Sequence, residues 1–154
     1  MSEARDFARW DPMEAAEFVK SHEGCRLVSY RDPAGVWTIG YGSTRLVSGE
    51  KVIAGLVITQ KAADALLGHH LRELADDMAA FVRVPVTRNS FIALVDFAYN
   101  CGLHAFEKST LLAELNARNY QGARAEFGKW VYAGGQKLPG LVKRRADEAR
   151  IFHT

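Results

Sequence analysis

Three oxygen-bearing side chains lie close together near the start of this chain. Glu23, Asp32 and Thr38 follow one another at intervals of nine and six residues. Two carboxyl groups and a hydroxyl can supply a proton donor, a carboxylate beside a developing positive charge, and a group that holds a water molecule. Hydrolysis of a glycosidic bond needs such a set.

The local sequence favours different protonation states for the two carboxyl groups. Glu23 follows an apolar run and precedes Gly24, a predicted helix stop, so the negative end of the helix dipole and any burial favour its protonated form. Asp32 lies in a turn sequence, Arg31-Asp32-Pro33-Ala34-Gly35, where solvent and backbone donors keep a carboxylate ionised. We therefore predict that Glu23 is the acid and Asp32 the carboxylate.

Glu23, Asp32 and Thr38, together with the motif Trp37-Thr38-Ile39-Gly40-Tyr41-Gly42, resemble the catalytic segment of the phage-type lysozymes, or endolysins, of glycoside hydrolase family 24. Further similar motifs follow in the family's order: Val84-Pro85-Val86-Thr87, Phe97-Ala98-Tyr99-Asn100-Cys101-Gly102, residues 106–112, Trp130-Val131-Tyr132-Ala133-Gly134-Gly135 and Gly140-Leu141-Val142-Lys143-Arg144-Arg145. The resemblance covers roughly residues 13–153.

The resemblance implies an activity and a role for each of these residues. The expected reaction is endo-hydrolysis of the β-1,4 bond between N-acetylmuramic acid and N-acetylglucosamine in bacterial peptidoglycan. Glu23 is expected to protonate the leaving oxygen, while Asp32 and Thr38 hold the attacking water on the opposite face of the sugar, the inverting arrangement. No cofactor is expected.

An arginine near the end of the chain is expected to support Glu23. The apolar stripe of the last predicted helix places Arg145 toward the interior and Arg144 off the stripe. A buried arginine needs an anionic partner, and the resemblance offers Glu23, with Arg145 as the first choice and Arg144 as the alternative. Such a cation lowers the pKa of Glu23 while burial and the helix end raise it, and the sequence leaves this balance open.

Several side chains are candidates for contact with substrate. By position in the family, Thr44 and Ser109 correspond to substrate-contacting residues, and the rings of Tyr30, Tyr41 and Phe97 can stack on sugars. The alternative for the aromatic residues is ordinary burial, and the alternative for Ser109 is capping of a helix N-terminus.

Two other functions compete with the muramidase. A lytic transglycosylase also needs one glutamic acid but uses the 6-hydroxyl of muramic acid in place of water, and the presence of both Asp32 and Thr38 argues against it. A wall-binding module, for example part of a phage tail, would keep the cleft for recognition alone. The intact candidate catalytic positions disfavour this alternative.

Composition limits the class of protein and its partners. A chain of 154 residues with 48% hydrophobic residues can form one domain with a sizeable core, and a net charge of only +2 gives no strong nucleic-acid signature. We expect a monomer. The charged first twenty residues leave no apolar core for a signal peptide, and no stretch reaches the roughly 20 apolar residues of a membrane span. We therefore expect accumulation in the cytoplasm of the producing cell until a holin-like partner permeabilises the membrane.

The cysteines and histidines are not expected to form special sites. Cys25 and Cys101 are too few and too far apart for a metal site or a disulfide framework, and free thiols are the favoured interpretation. The adjacent pair His69 and His70 would point to different faces of one helix, so no metal site is predicted.

The patterning predicts a mostly helical α+β fold. We expect loose residues at the start of the chain, and then a helix over 12–23, a small antiparallel sheet of two or three strands within 27–57, a long helix over 60–82 and a central core helix over 88–100. Helices over 109–118 and 120–132 and a last helix ending near residue 152 follow. As domains, these form a sheet-bearing lobe over about 12–60, a connecting helix over 60–82 and a helical lobe over 83–154, with the substrate cleft between the lobes.

Overall fold

The computed structural model of the protein describes residues 3–153, and the elements within them are mostly helical. The α-helices are α1 (Ala16–His22), α2 (Gln60–Ala79), α3 (Arg88–Cys101), α4 (Leu103–Lys108), α5 (Thr110–Asn116), α6 (Tyr120–Phe127) and α7 (Pro139–Ile151). The strands are β1 (Ala4–Arg5), β2 (Arg26–Arg31), β3 (Trp37–Gly40), β4 (Val86–Thr87), β5 (Tyr132–Ala133) and β6 (Gln136–Lys137), and they form three antiparallel pairs. The predicted fold class is confirmed. Among the described helices, none combines the length and apolar character that crossing a membrane requires.

The segment that leads to Glu23 begins as a 3-10 helix and continues as α1. The Asp11 side chain accepts a hydrogen bond from the Met13 backbone N–H at 2.9 Å, and Pro12 occupies the first position of the 3-10 helix, which extends over Pro12–Ala15. α1 then ends at His22, because Glu23 has an extended backbone conformation (φ −104°, ψ 129°). The predicted helix is therefore present, with a tighter first turn.

β2 and β3 form the predicted small sheet. Tyr30 lies opposite Thr38 in the register, and a bulge interrupts the pairing between Arg26 and Tyr30. The predicted third strand is reduced to a single bridge between Val28 and Val57. A small buried cluster, Ile39, Val52 and Leu66, packs this sheet region against α2.

α2 and α3 are the two main supporting helices. Thr59 caps α2 by accepting a hydrogen bond from Ala62 N–H at 3.0 Å, and Thr87 caps α3 by accepting one from Ser90 N–H at 3.1 Å. α2 has 20 residues, so it is about 30 Å long at ~1.5 Å per residue. α3 is buried continuously from Phe91 to Ala98, which confirms it as the central core helix.

Two sequence-based expectations are wrong. The residues before the first helix were expected to be loose, but β1 pairs with β4 and Phe7 is buried against the ring of Phe91. The helix expected over 120–132 ends at Phe127, because a short hairpin, β5 and β6, follows it. The 3-10 helix packs through Ala15, and α1 packs through Ala16 and Val19, into the larger core cluster.

Candidate active site

Glu23 stands at the junction between α1 and the sheet. Its backbone N–H donates to the Val19 carbonyl at 2.9 Å, which fixes the residue to the last turn of the helix. The side chain is 22% exposed, so it is sheltered but reachable from solvent. Its place at the carboxyl end of α1 is the one that the sequence predicted.

The turn after β3 covers one side of the Glu23 carboxyl group. Gly42 has φ +84°, and a Cβ atom at this position would lie 3.3 Å from Glu23 Oε2. Glycine is required here twice over, because it tolerates the left-handed backbone and leaves space for the carboxylate. The Gly-Tyr-Gly part of the motif therefore shapes the acid's environment.

Asp32 is held in the turn between β2 and β3. Its Oδ1 accepts hydrogen bonds from the backbone N–H groups of Ala34 and Val36, both at 2.9 Å. Its own backbone N–H donates to the Val36 carbonyl at 2.9 Å, which closes the turn. None of the hydrogen bonds described for the Asp32 side chain uses its Oδ2.

Thr38 is buried in β3, with 3% of its surface exposed. Its Oγ1 donates a hydrogen bond to the Val36 carbonyl at 2.9 Å. Since the hydroxyl hydrogen is directed to that carbonyl, the oxygen lone pairs remain available to accept a hydrogen bond from a water molecule.

Tyr30 lies close enough to both candidate carboxyl groups to feel their charges. Its pKa is raised, first by burial and then by the negative charges of Glu23 and Asp32, while Arg26 opposes the rise. The Arg26 guanidinium lies 4.6 Å from the centre of the Tyr30 ring. The Tyr30 hydroxyl therefore lies within the electrostatic reach of both carboxyl groups, across the register from Thr38.

The arginine beside Glu23 is Arg144, and the first choice, Arg145, is wrong. Arg144 Nη1 donates to Glu23 Oε1 at 2.8 Å. The same guanidinium binds both oxygens of Asp96 on α3, through Nε at 2.9 Å and Nη2 at 2.8 Å. Desolvation works against the charge of Arg144, but the hydrogen bond and charge of Asp96, and then those of Glu23, raise its pKa well above the usual value.

Arg145 has a different set of partners. Its Nη2 donates to Glu148 Oε2 at 3.0 Å, and its Nη1 lies 2.8 Å from Cys101 Sγ. The stripe analysis correctly predicted that Arg145 is interior, at 1% exposure, but Arg144 is also buried, at 5%. Both side chains are buried because α7 packs against α3 over more than one row of side chains.

Asp96, Glu148 and Tyr99 belong to the surroundings of Glu23, and sequence reasoning missed them. Asp96 and Glu148 are fully buried. The signal for Asp96 is one carboxylate within the apolar run over 91–98, since a buried charge requires a partner. The Tyr99 hydroxyl donates to the Tyr41 carbonyl, next to Gly42, and burial followed by the charge of Glu23 raises the pKa of Tyr99.

Among the predicted substrate contacts, the structure leaves Thr44 and Tyr30 accessible. Thr44 is exposed and lines a cavity of about 290 Å³ together with Gly42, His70 and Tyr99. This cavity lies beside Glu23, because a Cβ atom added at Gly42, one of its lining residues, would lie 3.3 Å from Glu23 Oε2.

The three other residues predicted to contact substrate make contacts within the protein. Phe97 is fully buried against Phe106, Phe127 and Trp130, so the prediction that its ring stacks on sugar is wrong. Tyr41 is also buried, and its hydroxyl donates to Asp64 at 3.0 Å; burial and this bond raise its pKa to about 12. Ser109 caps α5 and lines a separate cavity of about 470 Å³ whose lining includes none of the three candidate catalytic residues.

The described cysteines are free, as predicted: Cys25 Sγ contacts Gln60, and Cys101 contacts Arg145. The prediction that His69 and His70 point to different faces of the helix is wrong, because their rings lie in edge contact with centroids 5.4 Å apart. One ligand atom each from His69, His70 and Glu73 lies within 4.8 Å of the others. His69 is paired with Glu73, and His70 Nε2 lies 2.9 Å from the Arg45 carbonyl oxygen, so protein contacts account for this cluster.

The fold and the site together define a lysozyme-like glycoside hydrolase, with an acid at a helix end, a carboxylate in a hairpin turn and a small sheet packed against a long helix. The family model described as phage lysozyme matches residues 20–148. The chain belongs to the phage lysozyme family.

Individual relatives agree with this assignment. The chain is 40% identical over 140 residues to an endolysin of Acyrthosiphon pisum secondary endosymbiont phage 1, over 88% of this chain and 92% of the relative. A crystal structure of a P22 lysozyme variant matches with a TM-score of 0.79 and 36% identity, over 91% of this chain and 95% of the other. The muramidase domain of SpmX from Asticaccaulis excentricus matches with a TM-score of 0.80 and 35% identity, again over 91% of this chain and 95% of the other.

Proposed function

We propose that this protein cleaves the β-1,4 bond between N-acetylmuramic acid and N-acetylglucosamine in peptidoglycan, with Glu23 as the general acid. The observation that carries the proposal is the clamping of the Glu23 carboxyl group between Arg144 on one side and the Gly42 turn on the other. A fixed rotamer keeps the acid aimed at one point in space, and such positioning contributes to the rate.

The reaction needs a proton donor, a water molecule and a base. Glu23 transfers its proton to the glycosidic oxygen as the bond to the anomeric carbon breaks. Asp32, whose Oδ1 is bound by two backbone N–H groups, uses Oδ2 to stabilise the developing positive charge and to take a proton from the attacking water. Thr38 Oγ1 accepts the second hydrogen bond of that water. Attack from the face opposite the acid inverts the anomeric configuration.

The substrate lies in the cleft between the sheet-bearing and helical lobes. Thr44 and Tyr30 contact the sugar chain on the sheet side, where both are accessible. Trp130 and Tyr132 line a cavity of about 330 Å³ on the helical side, and the ring of Tyr132 is exposed. Exposed aromatic rings are suited to stacking on sugar faces.

Analysis of the products tests the reaction class. Digestion of purified peptidoglycan is expected to give fragments with reducing N-acetylmuramic acid ends, which mass spectrometry identifies, and NMR of the fresh products is expected to show the inverted α anomer first. Anhydro ends would identify a transglycosylase, whereas binding without release of fragments would favour a wall-binding module.

The protein acts as a monomer that reaches the wall with the help of a holin-like permeabilising partner. The endolysin names of its relatives support a role in lysis, and the need for a permeabilising partner is the part of the proposal to be tested. Expression in a bacterial host is expected to leave the culture intact until a membrane-permeabilising agent is added, after which turbidity falls quickly. Lysis at the same rate without the agent would contradict the dependence on a partner.

A further inference from the structure

A chain of buried charged groups extends behind Glu23 into the helical lobe. Glu23 contacts Arg144, Arg144 contacts Asp96, and Glu148 lies close enough to Asp96 for Asp96 to raise its pKa. Asp96 and Glu148 have no exposed surface, and Arg144 is 5% exposed. Buried charged groups need partners that compensate their charge. Which carboxyl group pairs with Arg144 therefore determines how much of the arginine's positive charge acts on Glu23.

Arg144 makes more hydrogen bonds with Asp96 than with Glu23. Two of its nitrogens bind the two oxygens of Asp96, and one nitrogen binds a single oxygen of Glu23. Bidentate pairs between arginine and carboxylate are the stronger and more directional arrangement. The positive charge of Arg144 is therefore neutralised mainly by Asp96, and Glu23 receives one orienting hydrogen bond.

Glu148, the buried neighbour of Asp96, has its own arginine. Arg145 Nη2 donates to Glu148 Oε2 at 3.0 Å, and Arg145 Nε lies 2.6 Å from Glu148 Oε1. Burial raises the pKa of Glu148, and its contact with Asp96 raises it further, while Arg145 opposes the rise. Arg145 therefore pairs with Glu148, and Arg144 is the arginine that pairs with Asp96.

This pairing matters because an uncompensated arginine would harm a general acid. An adjacent cation lowers the pKa of a carboxyl group by about one to three units, and a glutamate lowered by that amount would be deprotonated where the enzyme has to donate a proton. The contact with Arg144 therefore has to fix the position of the Glu23 carboxyl group without holding that group in its deprotonated form.

We propose that Asp96 is a positioning residue: as the fixed counter-ion of Arg144, it allows this arginine to orient the Glu23 carboxyl group while Glu23 remains able to carry the catalytic proton. The inference rests on the proposed role of Glu23 as the acid. It assigns Asp96 a purpose beyond stabilising the fold.

Three other ionisable side chains near Glu23, those of Tyr30, Tyr99 and His22, carry little charge near neutral pH. Burial raises the pKa values of Tyr30 on β2 and Tyr99 on α3, so both are neutral. Burial lowers the pKa of His22, the neighbour of Glu23 on α1, although Asp96 and Asp147 oppose this, so His22 is also neutral. The charged groups that act on His22 are Asp96, Lys143, Arg144 and Asp147, and Arg26 and Asp32 act, together with Glu23, on Tyr30. Of these, Arg144 is the cation in hydrogen-bond contact with Glu23.

The test is Asp96→Asn, which removes the counter-ion with little change in shape. The pKa of Glu23, measured by NMR of ¹³C-labelled glutamate carboxyl groups and assigned with Glu23→Gln, is expected to fall by about one unit or more. The alkaline limb of the pH profile of kcat/KM is expected to move to lower pH by the same amount. Asp77→Asn, which removes an exposed negative charge on α2, is the matched control and should shift neither quantity.

An unchanged Glu23 pKa in folded Asp96→Asn would overturn the proposal. If that variant does not fold, the double variant Asp96→Asn/Arg144→Gln removes the cation and anion together. The proposal predicts that Glu23 then keeps its wild-type pKa within about half a unit, because the charge removed was already compensated; a rise of more than a unit would refute it. These NMR measurements do not depend on turnover, so they separate failure of this inference from failure of the proposed catalytic role.

Discussion

At the scale of single residues, the sequence predicted where Glu23 lies in the secondary structure, but it did not predict which residues surround Glu23. Glu23, Asp32 and Thr38 lie on one short segment, so local signals were enough to place them at a helix end, a turn and a strand. The arginine partner comes from 121 residues further along the chain, and a helical stripe does not specify which of two adjacent buried arginines reaches it. The choice depends on Asp96 on another helix, which binds Arg144.

Gly42 offers a test of the space around the acid. Gly42→Ala is expected to lower activity by roughly 10- to 100-fold, because the new Cβ meets Glu23 Oε2 and displaces the carboxyl group. Its left-handed backbone should also lower the free energy of unfolding by about 1–2 kcal/mol. Kinetics on peptidoglycan and denaturant unfolding measure the two effects.

Gly49→Ala is the matched control. Gly49 has a similar φ of +89°, but an added Cβ would meet no atom within 4 Å. We expect a similar loss of stability and no loss of activity for the folded protein. Equal activity losses in the two variants would show that backbone strain alone, and not contact with Glu23, explains the effect.

At the scale of elements, local sequence patterns predicted the helices. They did not predict the pairing of strands that lie far apart in the sequence. α2 and α3 begin at residues 60 and 88, as predicted, and Thr59 and Thr87 are their N-caps. The pairing of β1 with β4 joins residues more than eighty positions apart through two residues on each strand. So short a strand carries almost no alternation signal, which is why the segment before the first helix was expected to be loose.

Phe7 provides the test of this N-terminal pairing. Phe7→Ala is expected to lower the free energy of unfolding by about 3–5 kcal/mol, since the ring is 3% exposed and packs against Phe91. Chemical denaturation followed by circular dichroism measures the change. Val47→Ala, at a side chain that is 56% exposed, should stay within about 0.5 kcal/mol of the wild type. Equal small effects would mean that the N-terminal segment contributes nothing to stability.

At the scale of the whole molecule, the fold places the acid where its two regions meet. The small cluster around Ile39 packs the sheet against α2, while the larger cluster takes in α1, α3 and the helices that follow. Glu23 leaves α1 from the larger cluster and enters the sheet region, so the arginine from α7 and the turn at Gly42 converge on it from opposite regions. Composition predicted a core of this size, but the lobe to which α1 belongs depends on contacts with α2 and α3 that the sequence does not display.

The activity of Glu23→Gln tests the central claim most directly. This substitution keeps the size and hydrogen-bonding capacity of the side chain but removes the proton that the reaction needs, so turnover of purified peptidoglycan is expected to fall by at least about 10²-fold. Circular dichroism should show an unchanged fold, and Glu17→Gln, at an exposed position on α1, should keep full activity. Wild-type turnover by a correctly folded Glu23→Gln protein would contradict the assignment of Glu23 as the acid.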